Sequence, residues 1–551
     1  MIASARLWLR HRDARLGNLM LVGGSGAFRP KQRRIAIGKA WRLALFGVWL
    51  VLVAIMAARH VLWRDEVRAL TLALSGNNLA GMAHAVHGEG HPLLWYVLLR
   101  VAHEAWSSVA VLPALGLAVG VAGAALLVFR APFGPWLIGL ILAGRMMLFE
   151  YSVMARNYGI AMLAMFALAM AYPRYRQGGL VPGVLLFLLA NTNVHSVILV
   201  VAFLLFWLAD LVMEHGLAPS RALGNWALNA ALAALGIVIC LATVYPPFND
   251  AAGGHVQIGP YALSRALVFQ GVLSSHLNIA LQLALAGALI GALRWPPVAL
   301  SLLAAALGFS LFFNAVYPGD YRHRALFLAF AITLTWIAMA RGKPAWPIDA
   351  ALPASMRNAL LRAQAWARTR LVTRAAWFCC AIILLFNVGE GFDSVAAALA
   401  NGAPRSQSAA FARFVAARPD LHDATIIADP DYLVEPLPYY LDNPLYLQRE
   451  HRFGGYVIFS RQAQRSLSLG QMLDNAHRLA AARQRPVILL LAAPLDPEAP
   501  PRSIAESYNW TFLTDAAQIA RLHRETGLLG HFGPAETDET FDAFLLRPAA
   551  P

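Results

Sequence analysis

Two adjacent carboxylates, Asp65 and Glu66, directly follow a long apolar stretch that ends near residue 62. Acids favour helix N-termini, so a solvated helix start explains such a pair on an ordinary surface. At a membrane boundary carboxylates are costlier to hold and are more often functional. The same loop carries His84, His87, Glu89 and His91. These are metal-ligand types, but their spacing matches no strong metal signature, and a polar loop with interfacial histidines is the plainer account. Two further polar segments hold arginines: Arg156, within Glu150 to Tyr158, and Arg322 and Arg324, within Tyr317 to Arg324. Arginine suits bidentate contact with phosphate, so the three would hold an anionic lipid headgroup if they share one face. Singly, each reads as an interfacial anchor that keeps its charge at the membrane edge. Asn191, Asn193 and His195 form another polar break, either lining the same cavity or capping helices.

Composition says what positions these groups. The chain has 551 residues, of which 59% are hydrophobic and only 14% charged. Soluble domains carry about 45–50% apolar and about 25% charged residues. Apolar stretches alternate with short polar joints from residue 42 to residue 389, and ordinary composition follows. A span needs roughly 20 apolar residues, which gives about eleven: 42–62, 108–129, 134–150, 157–172, 179–192, 194–213, 226–245, 276–293, 297–316, 325–341 and 374–389. The pair 179–192 and 194–213 reads alternatively as one broken helix. The fold class is thus a polytopic α-helical membrane protein, with a basic cytoplasmic tail (1–41), a membrane region (42–389) holding the loop 63–107, and a water-exposed α/β domain (390–551).

The net charge of +15 does not indicate nucleic-acid binding, because the basic residues flank the apolar stretches. They fit cytoplasmic segments under the positive-inside rule, and also an anionic-lipid surface. With the N-terminus inside, Arg130, Arg174, Arg176, Arg221, Arg294 and the joint 341–374 all fall inside. The acidic C-terminal domain then falls outside, together with segments 63–107, 149–157, 246–275 and 317–324. His91–Trp106 is short and interrupted by Arg100, His103 and Glu104, so it reads as an amphipathic helix on the outer interface. The N-terminal basic run and full-length first span do not read as a cleavable signal. The three cysteines, Cys240, Cys379 and Cys380, lie in apolar stretches and say nothing of redox compartment.

In this order the polar segments resemble the GT-C superfamily of membrane glycosyltransferases. The likeness is to the domain shared by lipopolysaccharide-core sugar transferases, protein mannosyltransferases and the lipid A aminoarabinose transferase. It covers roughly residues 42–340. An Asp-Glu pair opens the first outer loop (Asp65-Glu66), a His-Pro segment starts the interfacial helix (His91-Pro92-Leu93-Leu94-Trp95-Tyr96), and a Tyr-Ser-x-x-Ala-Arg segment follows (Tyr151 to Tyr158). Leu93 and Asn157 replace prolines of that pattern, and Gly90 and His91 stand where some members have a lysine.

The resemblance implies a bacterial inner-membrane enzyme of the cell envelope that takes a sugar from a polyprenyl phosphate donor. The acceptor would be a lipid, glycan or protein at the outer face. Asp65 would be the base of an inverting displacement, assisted by Glu66, with Arg322, Arg324 and Arg156 on the donor phosphate. Partial desolvation is expected to raise the Asp65 pKa and make it a better base. Glu89, His91, Tyr158, Tyr321 and His195 would be acceptor or auxiliary contacts. No cofactor is called for beyond, at most, a divalent metal at Glu89, His84, His87 and His91. Competing readings are a transporter or flippase of lipid-linked material, against which the absence of a clear internal repeat counts, and a non-catalytic envelope assembly protein.

In the C-terminal region, 425–429, 486–491 and 456–459 read as strands and 405–417, 470–484 and 513–526 as helices, a layered α/β pattern. It shows neither a glycine-rich phosphate loop nor a catalytic triad.

Overall fold

The computed structural model describes residues 31–216, 218–245, 259–275, 278–341, 352–400, 402–492, 495, 498, 502–504 and 510–548. The tail before Lys31, residues 246–258 of one polar segment and residues 342–351 of the joint 341–374 lie outside the described residues. The protein is an α-helical membrane protein with a sheet-containing C-terminal region. Among the described residues seven helices are long and apolar enough to cross a membrane: Gly38–Arg59, Val111–Arg130, Val194–His215, Arg221–Val244, Pro296–Ala315, Tyr321–Ala340 and Arg370–Leu399. The other four stretches read as spans are also helical, but shorter or less apolar: Pro135–Leu142, Tyr158–Tyr175, Val181–Ala190 and Ile279–Ala292.

Two differences from the sequence reading have local causes. The stretch 134–150 is not one helix: it breaks at Ala143 and resumes as a π-helical turn, Met146–Glu150. Gly144 and Gly391 let the last membrane helix cross at that break, with Asn387 against Gly144 and Gly391 against the Ala143 carbonyl. That last helix does not end near 389 but continues to Leu399. The polar break at 191–193 separates two helices, and it is a cap. The Asn193 side chain accepts from Ser196 N at 2.9 Å, and Asn191 Nδ2 donates to Gly236 O at 3.1 Å.

The segments placed by charge on the cytoplasmic side meet at one end of the helices. Asp210 is fully buried there. It accepts from Tyr172 Oη at 2.6 Å and Arg176 Nη1 at 3.0 Å, and pairs with Arg341. Glu214 bridges the same arginines, at 2.6 Å and 3.0 Å.

At the other end three short helices, Arg64–Ala73, Leu79–Val86 and Leu94–Ala105, form a small core of their own with Leu70, Leu72, Trp95, Tyr96 and Leu99. Leu94–Ala105 is 12 residues long, too short to span.

The C-terminal region is built on a four-stranded sheet. Thr425–Asp429 pairs in parallel with Val487–Leu491, Thr425 opposite Val487. Phe541–Leu546 and then Gly527–Phe532 follow antiparallel. The two strands read as buried apolar runs are buried throughout. Residues 456–459 are not a strand. Their amides are taken by carboxylates instead: Val457 N by Glu435 at 2.7 Å, and Ile458 N and Phe459 N by Glu450 at 2.7 and 3.2 Å.

Removing one member of a buried ion cluster strands the rest, at a cost of about 3–5 kcal/mol. Asp210→Ala is therefore expected to lower the thermal midpoint of the detergent-solubilised protein markedly. A midpoint within a degree or so of the parent would show that the cluster carries no net stability.

Candidate active site

The helix Arg64–Ala73 begins with both carboxylates in its first turn, and they face different ways. Glu66 points inward and is fully buried. It accepts from His60 Nε2 at 2.7 Å, from Ala155 N at 2.6 Å and from its own cap residue, Trp63 N, at 3.5 Å. Each of its oxygens is engaged within the protein, so Glu66 positions the helix start against the segment 151–157. That segment lies flat on the helix Val111–Arg130 because Gly120 is there: a Cβ at Gly120 would stand 2.6 Å from Ser152 Cα.

Asp65 points the other way and keeps 24% of its side chain exposed. Its Oδ2 is 3.2 Å from Arg322 Nη2 and 4.0 Å from Arg156 Nη2, and its Oδ1 is 3.8 Å from Arg64 Nε. Arg156 also donates to the Asp65 backbone carbonyl. The expected rise in the Asp65 pKa is not found. Burial pushes upward, but Arg156, Arg322 and Arg64 together hold the carboxyl well below the usual carboxylate range. A unit pair at roughly 3–4 Å attracts by about 4–5 kcal/mol at an effective dielectric constant of 20. One such partner about matches the desolvation cost of several kcal/mol per ion, and three exceed it. Asp65 is thus a fixed anion at rest and a poor base.

The structure brings His91 to this cluster. Burial and the neighbouring Arg156 push its pKa down to about 3, so the imidazole is neutral. Its Nε2 accepts from Arg156 Nη2 at 3.1 Å. Arg322 also pairs with Asp320 at 2.8 Å, lies over the Trp63 ring at 5.5 Å, and keeps a buried Nε with no partner. Tyr158 sits beside the cluster. Its hydroxyl is 2.8 Å from His323 Nε2, while His323 Nδ1 accepts from Asp320 N at 2.8 Å. His195 is buried against Phe312 and His323, with ring centroids 4.8 and 4.7 Å away.

Other candidates are used elsewhere. Arg324 donates to three backbone carbonyls, of Gly271 (2.8 Å), Pro318 (2.5 Å) and Gly319 (2.7 Å), and so braces loops rather than joining Asp65. Tyr321 bonds Asn387 and carries Arg145 over its ring. Glu89 takes the Arg68 fork, at 2.5 and 2.7 Å. His84 and His87 are exposed on the loop surface. Among the described residues no group of three or more metal-ligating side chains converges, so the set Glu89, His84, His87 and His91 does not fit a metal.

The C-terminal region supplies a second support that local sequence could not reveal. Glu539 Oε1 accepts from Arg64 N at 2.8 Å, the first amide of the Asp65 helix. Glu435 pairs with Arg68. Tyr440 Oη donates to Leu62 O at 2.9 Å, and Arg64 lies 4.4 Å over Tyr432. Helix Arg64–Ala73 is thereby clamped between the membrane region and the sheet region.

No family model and no curated protein sequence matches the chain. The solved structure of ArnT from Cupriavidus metallidurans in the apo state is similar over 92% of this chain and 98% of that one, at 14% identity and a TM-score of 0.46.

Burial pushes the Glu539 carboxyl up to about 7 against the pull of Arg64. Its folded value lies above the unfolded value of about 4.3. The docked state therefore holds a proton that the undocked state releases, and docking is strongest below about pH 4 and weakens as pH rises to about 7. Protection of the amides in the helix Arg64–Ala73, relative to their intrinsic exchange rate at each pH, is expected to fall across that window, and Glu539→Gln is expected to flatten the change. An unaltered pH slope in the variant would place its origin in another group.

Proposed function

We propose that this chain is a membrane glycosyltransferase. It moves a sugar from a lipid-linked donor, a sugar on a polyprenyl phosphate, to an acceptor hydroxyl at the outer face of a bacterial inner membrane. One observation carries the reading: a carboxylate held between two guanidiniums, Asp65 between Arg322 and Arg156, at the membrane end that bears the sheet region. The order of Asp65-Glu66, His91-Pro92 and Tyr151 to Tyr158 along the chain, with its resemblance to GT-C enzymes, supports it. Nucleotide sugars are absent outside the cytoplasm, so a donor used there arrives on lipid.

The charge arrangement gives this reading a mechanism. The donor phosphodiester, held by Arg322 and Arg156, competes with Asp65 for the same forks, and each of its two free oxygens can accept from one guanidinium. Asp65 then keeps only Arg64 as a counter-ion, its proton affinity rises toward the range of a useful base, and it stands beside the bound donor. The acceptor oxygen attacks the anomeric carbon as its proton passes to Asp65. The bond to the phosphate oxygen breaks on the opposite side, which inverts the centre. Arg322 and Arg156 stabilise the charge that develops on the leaving phosphate. Neutral His91 keeps Arg156 aimed without competing for the anion, and Glu66 fixes the backbone that carries Asp65.

Asp65→Asn is expected to lower turnover by about 10²–10⁴-fold, the usual scale of general-base catalysis. Arg322→Gln is expected to cost about 10²–10³-fold. The check is mass spectrometry of envelope glycolipids and glycans in cells with the native protein, without it, and with Asp65→Asn. Loss of the same sugar-sized mass in both defective strains is expected. Loss on deletion but not in Asp65→Asn would favour a transport or assembly role.

A further inference from the structure

A cleft of about 510 Å³ opens at the same end of the membrane region, beyond Trp63 from Asp65. The ends of the first and last membrane helices form it, with Phe149 and residues 402–405 closing it. Three arginines line it, and they are not equally neutralised. Arg145 is paired with Glu150 and Glu390, at 2.9 and 3.0 Å. Arg59 donates to the backbone carbonyls of Ala398 and Leu399, at 2.7 and 3.3 Å. The Arg405 Nε is buried and makes no hydrogen bond, with Glu536 Oε2 3.8 Å away. The Arg405 guanidinium lies 5.4 Å from the rings of both Trp63 and Phe149. Two carboxylates line the cleft, Asp393 and Glu536, and both are exposed, where solvent screens them. A guanidinium donor left unbonded in a partly buried place costs free energy that an anion would recover. Met56, Ala397 and Ala398, from the ends of the two helices, give the rest of the wall an apolar side.

We propose that this cleft binds the phosphate of an amphiphile, with the phosphate on Arg59 and Arg405 and the tail along the seam between the first and last membrane helices. The site is separate from the Arg322–Arg156 pair, and it rests on the membrane architecture rather than on the transfer reaction. It communicates with Asp65 by two short routes. His60 forms part of the cleft wall and bonds Glu66, and Trp63 carries Arg405 and Arg322 on its ring. Such a bound lipid would also close the gap between helices Gly38–Arg59 and Arg370–Leu399 beside the catalytic wall.

Two sources share this chemistry, a resident anionic phospholipid and a polyprenyl phosphate. The test is native mass spectrometry of the full-length protein, released from detergent after incubation with phosphatidylglycerol, with polyprenyl phosphate, or with both in competition. Measured in an Arg322→Gln background, which disables the Arg322–Arg156 phosphate site, one tightly held molecule is expected, and the competition shows which source occupies the cleft. Arg59→Gln/Arg405→Gln is expected to lower its occupancy at least tenfold. Ala397→Trp, which fills the cleft and leaves every charge in place, is expected to do the same, and thermal midpoints of both variants establish that they fold. Equal retention by the parent and a folded variant of either kind would overturn the proposal, as would the absence of any retained lipid in the parent.

Discussion

Much of this structure follows from the cost of holding charge at the edge of a membrane. Asp65, Arg64, Arg156 and Arg322 come from three distant parts of the chain, and none would be stable in its place without the others. The net attraction is won by number: one arginine about offsets the desolvation of the carboxylate, and three make it a fixed anion. That arrangement is stable only while no better anion is present. On the proposed function the phosphate of the lipid-linked donor is that anion, and the resting network would hold receptor and base in one contact.

The rest of this end of the molecule serves to hold that contact in register. Glu66 ties the helix start to His60 and to Ala155 N, and Gly120 allows the segment bearing Arg156 to lie against its neighbouring helix. The sheet region reaches over with Glu539 and Glu435 and fixes the helix from its far side. This gives the C-terminal region a physical task, since a helix of only 10 residues has little stability of its own. The opposite end of the membrane region uses the same logic: Asp210 and Glu214 gather Arg176 and Arg341.

The helices and the grouping of basic joints were legible in the sequence because burial in lipid demands long apolar runs and leaves charge only at their ends. Asp65, Arg156, Arg322 and His91 were legible as types at matching chain positions, and the fold brings them together. Arg324 was not separable from Arg322, although two residues apart on a helix point in different directions, and only the contacts show which one braces loops. Glu66 read as a chemical partner of Asp65, but adjacent residues in a helix diverge, and it turned inward. The sign of the Asp65 shift was misjudged because burial is visible in sequence and the convergence of three arginines is not. Glu435, Glu539 and Arg405 carried no local signal, since their roles exist only across the boundary between the two regions.

The central claim is that Asp65 is an ion-paired anion at rest and becomes a base when phosphate takes its partners. Difference infrared spectroscopy against Asp65→Asn reads that carboxyl directly, with and without polyprenyl phosphate, across a pH series. The account predicts an ionised band that persists well below the usual carboxylate range without lipid, and a titration moved to higher pH when lipid phosphate is bound. A carboxyl already protonated near neutral pH at rest, or a titration that polyprenyl phosphate leaves in place, would contradict it.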